Sequence, residues 1–170
     1  MPVSVLIVED SEAIRHGVCS ILQDSAEFNV VGEASDGVQG ISQSEILQPD
    51  VILLDLSMPI LSGLGAAPRM LQVSPDSKIL MFSHYDSASI VTASLKAGAL
   101  GYVMKSDAGK DLMAGLLATS QGKQFVSTGG RYALDHYCCS SAYVGSGFQH
   151  AYRWRLDPSS SGRGPGSSSH

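Results

Sequence analysis

A run of four large aliphatic residues that ends in an aspartate constrains the fold of this chain most strongly. Residues 51–54 read Val-Ile-Leu-Leu, and Asp55 follows them directly. Turn-forming residues flank the run, with Pro49 before it and Pro59 after it. This composition is typical of a short strand that is buried on both faces of a parallel sheet. A carboxylate that closes such a strand is costly unless it is solvated, paired or bound to a metal.

Two other apolar segments end in polar residues in the same way. Residues 3–8 run into Glu9 and Asp10, and residues 79–82 run into Ser83. The carboxyl ends of parallel strands meet at one edge of an open sheet, and such sheets bind ligands at that edge. The sequence therefore predicts a polar site that combines three carboxylates and a hydroxyl.

Strand-like and helix-like segments alternate along the first three-quarters of the chain, which indicates an α/β fold. The pattern predicts a (βα)5 doubly wound, five-stranded parallel sheet of the flavodoxin-like kind. Ser11 is the expected N-cap of the first helix, and Pro68 predicts either a kink in the third helix or a start near that residue. The five predicted strands are residues 3–8, 29–34, 51–54, 79–82 and 101–104.

Charge and composition divide the chain near residue 125. Residues 1–125 hold seven Lys and Arg against fourteen Asp and Glu, whereas residues 126–170 hold four against two. The acidic part offers no electrostatic surface for nucleic acid, so direct DNA binding by it is not expected. We expect one domain over residues 1–125 and an irregular or disordered Ser- and Gly-rich tail over residues 126–170, without a recognisable effector domain.

Targeting and cysteine signals are sparse. The chain shows no secretory signal and no apolar run long enough to span a membrane, so we expect a cytoplasmic protein that does not contact membranes. Its three cysteines form no disulfide framework. The tail residues His136, Cys138, Cys139 and His150 give only a weak zinc signal, because adjacent cysteines do not match the usual ligand spacing.

Four phrases and one glycine together resemble the receiver domain of two-component response regulators. They are residues 5–11 (VLIVEDS), 49–59 (PDVILLDLSMP), Gly63, 79–83 (ILMFS) and 96–105 (KAGALGYVMK). The resemblance covers about residues 3–125, and its wording is closest to receivers that precede a LuxR-type helix-turn-helix domain. Each residue alone has a plainer interpretation as a helix cap, a strand end or a solvated charge. Their joint occurrence favours the receiver interpretation.

The resemblance implies that Asp55 accepts a phosphoryl group from a phosphohistidine of a sensor histidine kinase or a phosphotransfer protein. A carboxylate attacks an anionic phosphoryl group poorly unless a cation offsets the charge repulsion, and carboxylates hold Mg²⁺ well. Mg²⁺ is therefore the implied cofactor. Its implied ligands are Glu9, Asp10, Asp55 and the backbone carbonyl of Ser57.

The resemblance also implies a switch. Lys105 would pair with the phosphoryl oxygens, Ser83 would donate its hydroxyl to them, and the ring of Tyr102 would turn from solvent toward the interior. The implied output face consists of the fourth helix, the fifth strand and the fifth helix. It would contact a downstream protein or a second receiver. The positions of Ser57 and Tyr85 would influence the lifetime of the aspartyl phosphate.

Alternative functions remain open at this point. The chain could be a transcriptional regulator with a truncated or degenerate effector, whose tail binds DNA weakly through Arg131, Arg153, Arg155 and Arg163. For the tail, the alternatives are a stand-alone receiver, a truncation, or a changed reading frame near Thr128. A haloacid dehalogenase type of phosphatase is disfavoured, because Ser57 stands where such enzymes place a general acid. We expect no turnover enzyme, only self-phosphorylation from phosphodonors and slow autodephosphorylation.

Overall fold

The computed structural model describes residues 1–131. The predictions for residues 132–170, including the weak zinc signal, lie outside this part of the chain. The strands are β1 (Val3–Val8), β2 (Phe28–Ala34), β3 (Val51–Asp55), β4 (Lys78–Ser83), β5 (Gly101–Met104) and β6 (Phe125–Val126). The helices are α1 (Glu12–Gln23), α2 (Gly37–Leu47), α3 (Gly63–Val73), α4 (Ala88–Lys96) and α5 (Ala108–Ser120).

All the strand pairs are parallel, and the sheet order is β2-β1-β3-β4-β5-β6. Strand β3 lies at the centre and is buried along its whole length. This confirms the predicted doubly wound α/β fold and the interpretation of residues 51–54 as a central strand. Consecutive crossovers place strand ends from both halves of the chain beside β3, so one edge of the sheet can gather distant residues.

Alternating side chains of the strands form two cores, one on each face of the sheet. Leu6 and Val8 pack on one face with residues of α2, α3 and α4. Val5 and Ile7 pack on the other face with residues of α1 and α5. The period of two along β1 therefore serves both faces, as expected for a strand covered by helices on both sides.

Side chains cap the first three helices. Ser11 Oγ accepts a hydrogen bond from the backbone N–H of Ile14, which confirms the predicted N-cap of α1. Asp36 Oδ1 accepts from two N–H groups at the start of α2, and this cap supports a helix whose sequence has weak intrinsic propensity. Helix α3 begins at Gly63 and runs through Pro68. The alternative that this helix starts near Pro68 was wrong, because the helix is capped by Ser62, six residues before Pro68.

The sheet gains a sixth strand beyond the five that were predicted. Residues Phe125 and Val126 pair in parallel with Gly101 and Tyr102 at the outer edge of β5. Ser127 continues this attachment, since its N–H donates to the Tyr102 carbonyl at 2.9 Å and its hydroxyl accepts from Met104 N at 3.1 Å. A two-residue strand has no periodicity, so the sequence pattern could not reveal it.

Within residues 1–131, the helices are all too short or too polar to cross a membrane.

At the end of the sheet where the strands begin, Asp50 connects the loop before β3 to the start of β1. Its Oδ2 accepts from Ser4 N at 2.8 Å and from Ser4 Oγ at 2.6 Å, and its own N–H donates back to Ser4 Oγ. These hydrogen bonds hold the pKa of Asp50 below its ordinary value. The contact fixes the two strands in register at the end remote from the polar residues.

We expect Asp50→Ala to lower the free energy of unfolding by about 1 kcal/mol at pH 7, the scale of a net hydrogen bond. Because the folded-state pKa is lowered, this contribution is present above the unfolded value of about 4 and is lost as the pH falls through the folded value. Urea denaturation at a series of pH values measures it. Asp76→Ala, at an exposed position, is the control. If the difference in the free energy of unfolding between wild type and Asp50→Ala stays the same at low pH, the ionised carboxylate is not its source.

Candidate functional site

The carboxyl edge of the sheet brings the predicted site residues together. Glu9 follows Val8, which is paired with Leu54, so Glu9 and Asp55 lie side by side at the ends of β1 and β3. Asp55 itself is paired with Phe82, the residue before Ser83 on β4. Ser83 in turn is paired with Met104, the residue before Lys105. The parallel register alone therefore explains why residues separated by up to 96 positions meet.

Three carboxylates form what we call the acidic cluster, made of Glu9, Asp10 and Asp55. One oxygen from each lies within 4.8 Å of the others. Glu9 and Asp55 are buried, whereas Asp10 is exposed. The cluster thus has two buried carboxylates and one that is exposed to solvent.

Lys105 balances the two buried carboxylates. Its Nζ lies 2.7 Å from Glu9 Oε2 and 3.1 Å from Asp55 Oδ1. The ammonium group also lies 5.6 Å from the centre of the Phe82 ring, within the range of a cation–π contact. One positive charge therefore faces two negative charges in a site where water is largely excluded.

Burial dominates the ionisation of the two buried carboxyl groups. It raises the pKa of Glu9 above the ordinary value, and the Asp55 charge adds to the rise while Lys105 opposes it. Burial likewise raises the pKa of Asp55, and Lys105 and the backbone N–H groups of Ser57 and Leu56 oppose the rise. The single ammonium group thus offsets only part of the cost of holding two charges here.

The acidic cluster fits a small divalent cation. It offers hard oxygen donors, which Mg²⁺ prefers, and oxygens in an octahedral Mg²⁺ shell are separated by about 3–4 Å given bonds of about 2.1 Å. The spacing in the cluster needs only a small contraction to match that range. A cation would also neutralise the excess negative charge of the three carboxylates. The residues present are therefore compatible with Mg²⁺ as a ligand of this site.

The hydroxyl residues lie next to this cluster. Ser83 is buried, and its Oγ accepts a hydrogen bond from Tyr85 N at 3.3 Å. Tyr102 is fully buried, and its hydroxyl donates to the Tyr85 carbonyl at 2.6 Å. Burial raises the pKa of Tyr102, and a hydrogen bond with Ser83 partly opposes the rise. The ring therefore already occupies the inward position that the sequence resemblance assigned to the switched state.

A second hydroxyl contact joins the two loops that follow β3 and β4. Ser57 Oγ donates to Tyr85 Oη at 3.2 Å, and both side chains are exposed. These are the two positions singled out in the sequence, two residues after Asp55 and two residues after Ser83. Their contact links the loop after β3 to the loop after β4.

Gly63 permits the close packing of the loop that follows Asp55. Its N–H donates to the Leu56 carbonyl at 3.0 Å. A side chain at this position would overlap the Asp55 carbonyl oxygen and would come within 3.1 Å of Leu56 Cα. The start of α3 is thus pressed against the backbone of the central carboxylate, which explains why this position holds glycine.

Sequence reasoning missed Arg15 and Glu33. Arg15, on α1, donates from Nη1 to the Glu9 carbonyl at 2.7 Å, and its Nε lies 3.0 Å from Glu33 Oε2 on β2. A signal was available, because Arg15 lies four residues, about one helical turn, after the cap Ser11, and Ser11 directly follows Glu9 and Asp10. An arginine on an amphipathic helix is usually a solvated charge, so this signal is weak without the structure.

Comparison with known proteins identifies related domains. Residues 5–116 match the family model described as the response regulator receiver domain. The nitrate/nitrite response regulator NarL of Escherichia coli K12 is 36% identical over 126 residues, which cover 74% of this chain. That match spans 58% of NarL, so the chain covers little more than half the length of this relative.

Solved structures agree with this similarity. The receiver domain of the putative response regulator NarL from Mycobacterium tuberculosis has a TM-score of 0.69 and 31% identity, covering 72% of this chain and 98% of that domain. The isolated receiver domain of RcsB from Salmonella enterica serovar Typhimurium, solved with the phosphomimetic BeF3⁻, has a TM-score of 0.72 and 27% identity. It covers 79% of this chain and 99% of that domain.

We expect Gly63→Ala to destabilise the protein by about 1–3 kcal/mol, because the added methyl group overpacks the backbone after Asp55. Chemical denaturation measures the loss. Gly109→Ala is a matched control, since a methyl group there meets nothing within 4 Å and the site lies in α5. That variant should be neutral or slightly more stable. Equal stability of both variants would contradict the close approach.

We expect Asp55→Asn to keep the fold and to raise the Tm of the metal-free protein by about 2–5 °C at neutral pH. The pKa of Asp55 is raised in the folded state, so this carboxyl group lowers stability increasingly as the pH rises from the unfolded pKa through the raised folded value. The gain should be absent below the unfolded pKa of about 4 and should grow as the pH rises.

Thermal denaturation in the presence of a chelator, from pH 4 to pH 7.5, measures this difference. Asp10→Asn is the control, because Asp10 is exposed and its replacement should change the Tm less. A large loss of stability in Asp55→Asn at neutral pH would show instead that the Lys105–Asp55 ion pair is structural.

Proposed function

The chain belongs to the response regulator receiver family, and from this premise we propose that it is a phosphorylation-dependent switch of a two-component system with Asp55 as the phosphoacceptor. The observation that carries the proposal is the position of Asp55. Its carboxylate closes the central strand, flanked by the acidic residues after β1 and by Ser83 at the end of β4.

In the proposed reaction, an Asp55 carboxylate oxygen attacks the phosphorus of a phosphohistidine on a histidine kinase or phosphotransfer protein. The O–P bond of an acyl phosphate forms while the P–N bond of the donor breaks, and the imidazole nitrogen keeps the electron pair. The acidic cluster, together with the Ser57 backbone carbonyl, is proposed to hold Mg²⁺. When bound, this ion supplies positive charge that offsets repulsion between the carboxylates and the phosphoryl oxygens.

Lys105 is proposed to exchange partners during this reaction. Its ammonium group contacts Glu9 and Asp55 before transfer, at 2.7 and 3.1 Å. When the phosphoryl group joins Asp55, its oxygens become the stronger acceptor, and the ammonium group is close enough to meet them after a small movement. Ser83 Oγ, at the end of the neighbouring strand, is proposed to donate its hydroxyl hydrogen to the same oxygens.

Tyr102 is the proposed reporter of this change. It shares a hydrogen-bonding interaction with Ser83 and donates to the Tyr85 carbonyl. A Ser83 hydroxyl that turns toward the phosphoryl group would alter both contacts. The proposed output face is the surface formed by α4, β5 and α5, through which the protein would contact a downstream target or a second copy. Residues 125–127 attach to β5, and Thr128 and Gly129 donate to Asp111 and Asp107 at the start of α5, so this segment forms part of the face.

The proposal assigns signalling rather than turnover to this protein. Self-phosphorylation from small donors and slow loss of the aspartyl phosphate are the chemistry expected of it, in the cytoplasm. The receiver domain is proposed to comprise residues 1–125, with residues 126–131 packed against its fifth strand and fifth helix. The acidic balance of that domain does not favour nucleic-acid binding.

We expect acetyl phosphate and Mg²⁺ to add a single phosphoryl group to the full chain, as measured by intact-protein mass spectrometry. The mass shift should need Mg²⁺, should be labile in base as acyl phosphates are, and should be absent in Asp55→Asn. Asp76→Asn, which changes an exposed aspartate beyond the site, should be phosphorylated like the wild type.

Two results would contradict the proposed function. A phosphoryl group that persists in Asp55→Asn would place the acceptor elsewhere. Multiple-turnover hydrolysis of a small phosphate ester, lost in Asp55→Asn, would identify the protein as a phosphatase instead of a switch.

A further inference from the structure

Arg15 joins two polar groups that belong to different strands. Its Nη1 donates to the Glu9 carbonyl at 2.7 Å, and its Nε contacts Glu33 Oε2 at 3.0 Å. Only 16% of the Arg15 side chain is exposed, so the guanidinium group is held in place instead of moving freely in solvent. Its planar guanidinium carries donors on separate nitrogens in a fixed geometry, so Nη1 and Nε serve the two acceptors at once.

The acceptor of this hydrogen bond is a particular peptide group. The Glu9 carbonyl belongs to the peptide that links Glu9 to Asp10, two of the three members of the acidic cluster. The other end of Glu9 is already fixed, because its N–H donates to the Ala34 carbonyl at 3.0 Å. Arg15 therefore sets the orientation of the peptide from which Asp10 projects toward the cluster.

The positive charge of Arg15 would repel a cation bound at the acidic cluster. A guanidinium group beside a cation site weakens binding through Coulomb repulsion, and Glu33 reduces this repulsion by pairing with it. A role in positioning and a role through charge therefore predict opposite effects when Arg15 loses its charge. This opposition makes the two roles separable by experiment.

We propose that Arg15 is a positioning residue of the cation site, which aligns the Glu9–Asp10 peptide so that the acidic cluster can bind Mg²⁺, with Glu33 orienting Arg15. The inference rests on the proposed function in that it assumes a cation at this cluster. Arg15 acts through the backbone and does not itself contact the cation.

Isothermal titration calorimetry with MgCl2 on the full chain tests the proposal without any phosphorylation step. Arg15→Met keeps an apolar stem and removes the donor fork, and we expect about tenfold weaker Mg²⁺ binding, the usual scale for residues that support metal ligands. Arg15→Lys should recover part of this loss, since its ammonium group can reach one of the two acceptors. Arg69→Met, at an exposed position on α3, removes the same charge and should bind like the wild type.

The double variant Arg15→Met/Glu33→Gln is the sharpest comparison, because it has the same net charge as the wild type. Positioning predicts that it binds Mg²⁺ about tenfold more weakly, as Arg15→Met does. Circular dichroism establishes that each variant is folded, and Arg15→Lys keeps the test valid should Arg15→Met fail to fold.

The outcomes separate the inference from the proposed function. If the wild type binds Mg²⁺, and Arg15→Met and the double variant bind it equally or more tightly, the role of Arg15 is overturned. The cation site would remain in place. Absence of Mg²⁺ binding by the wild type would overturn the cation site itself, and the inference with it.

Discussion

The imbalance of charge around Lys105 is the constraint on which the rest of the site depends. Two buried carboxylates share one ammonium group, and burial raises the pKa of both acids. A folded domain tolerates this arrangement because the sheet is well packed on both faces, where every large side chain of β3 is buried. The stability of the two cores thus supports a cluster that would be unfavourable by itself, and the residual negative charge is what makes the cluster suited to a cation.

Much of this could be predicted from the sequence, for identifiable reasons. Residues 51–54 and 5–8 are apolar on both faces, which is typical of strands inside a parallel sheet, and the alternation with helical segments supported that interpretation. The meeting of Glu9, Asp55, Ser83 and Lys105 followed from the strand ends once the strands were taken as parallel. The doubly wound order was predicted by the alternation of strands and helices and is confirmed by the structure.

The remaining features depend on contacts that have no local pattern. Strand β6 is two residues long and exists because the edge of β5 offers unpaired backbone groups. The buried orientation of Tyr102 depends on a hydrogen bond to a backbone carbonyl 17 residues away. The contact of Arg15 with the Glu9 carbonyl is a side-chain-to-backbone interaction, and a backbone acceptor has no identity in the sequence. Such contacts emerge only when the chain is folded.

Strand β5 has neighbours on both sides, because residues 125–127 attach to its outer side. On its inner side it pairs with β4, which ends in Ser83, and on its outer side it pairs with β6. Ser127 bonds to the backbone at both Tyr102 and Met104, the residues on either side of Val103. Lys105 follows Met104 directly, so the ammonium group of the acidic cluster and the first residues after the sheet are anchored on the same four-residue strand. Any movement of β5 would therefore strain or carry along the hydrogen bonds of Ser127, so this residue and the Lys105 ammonium group are coupled through one short strand.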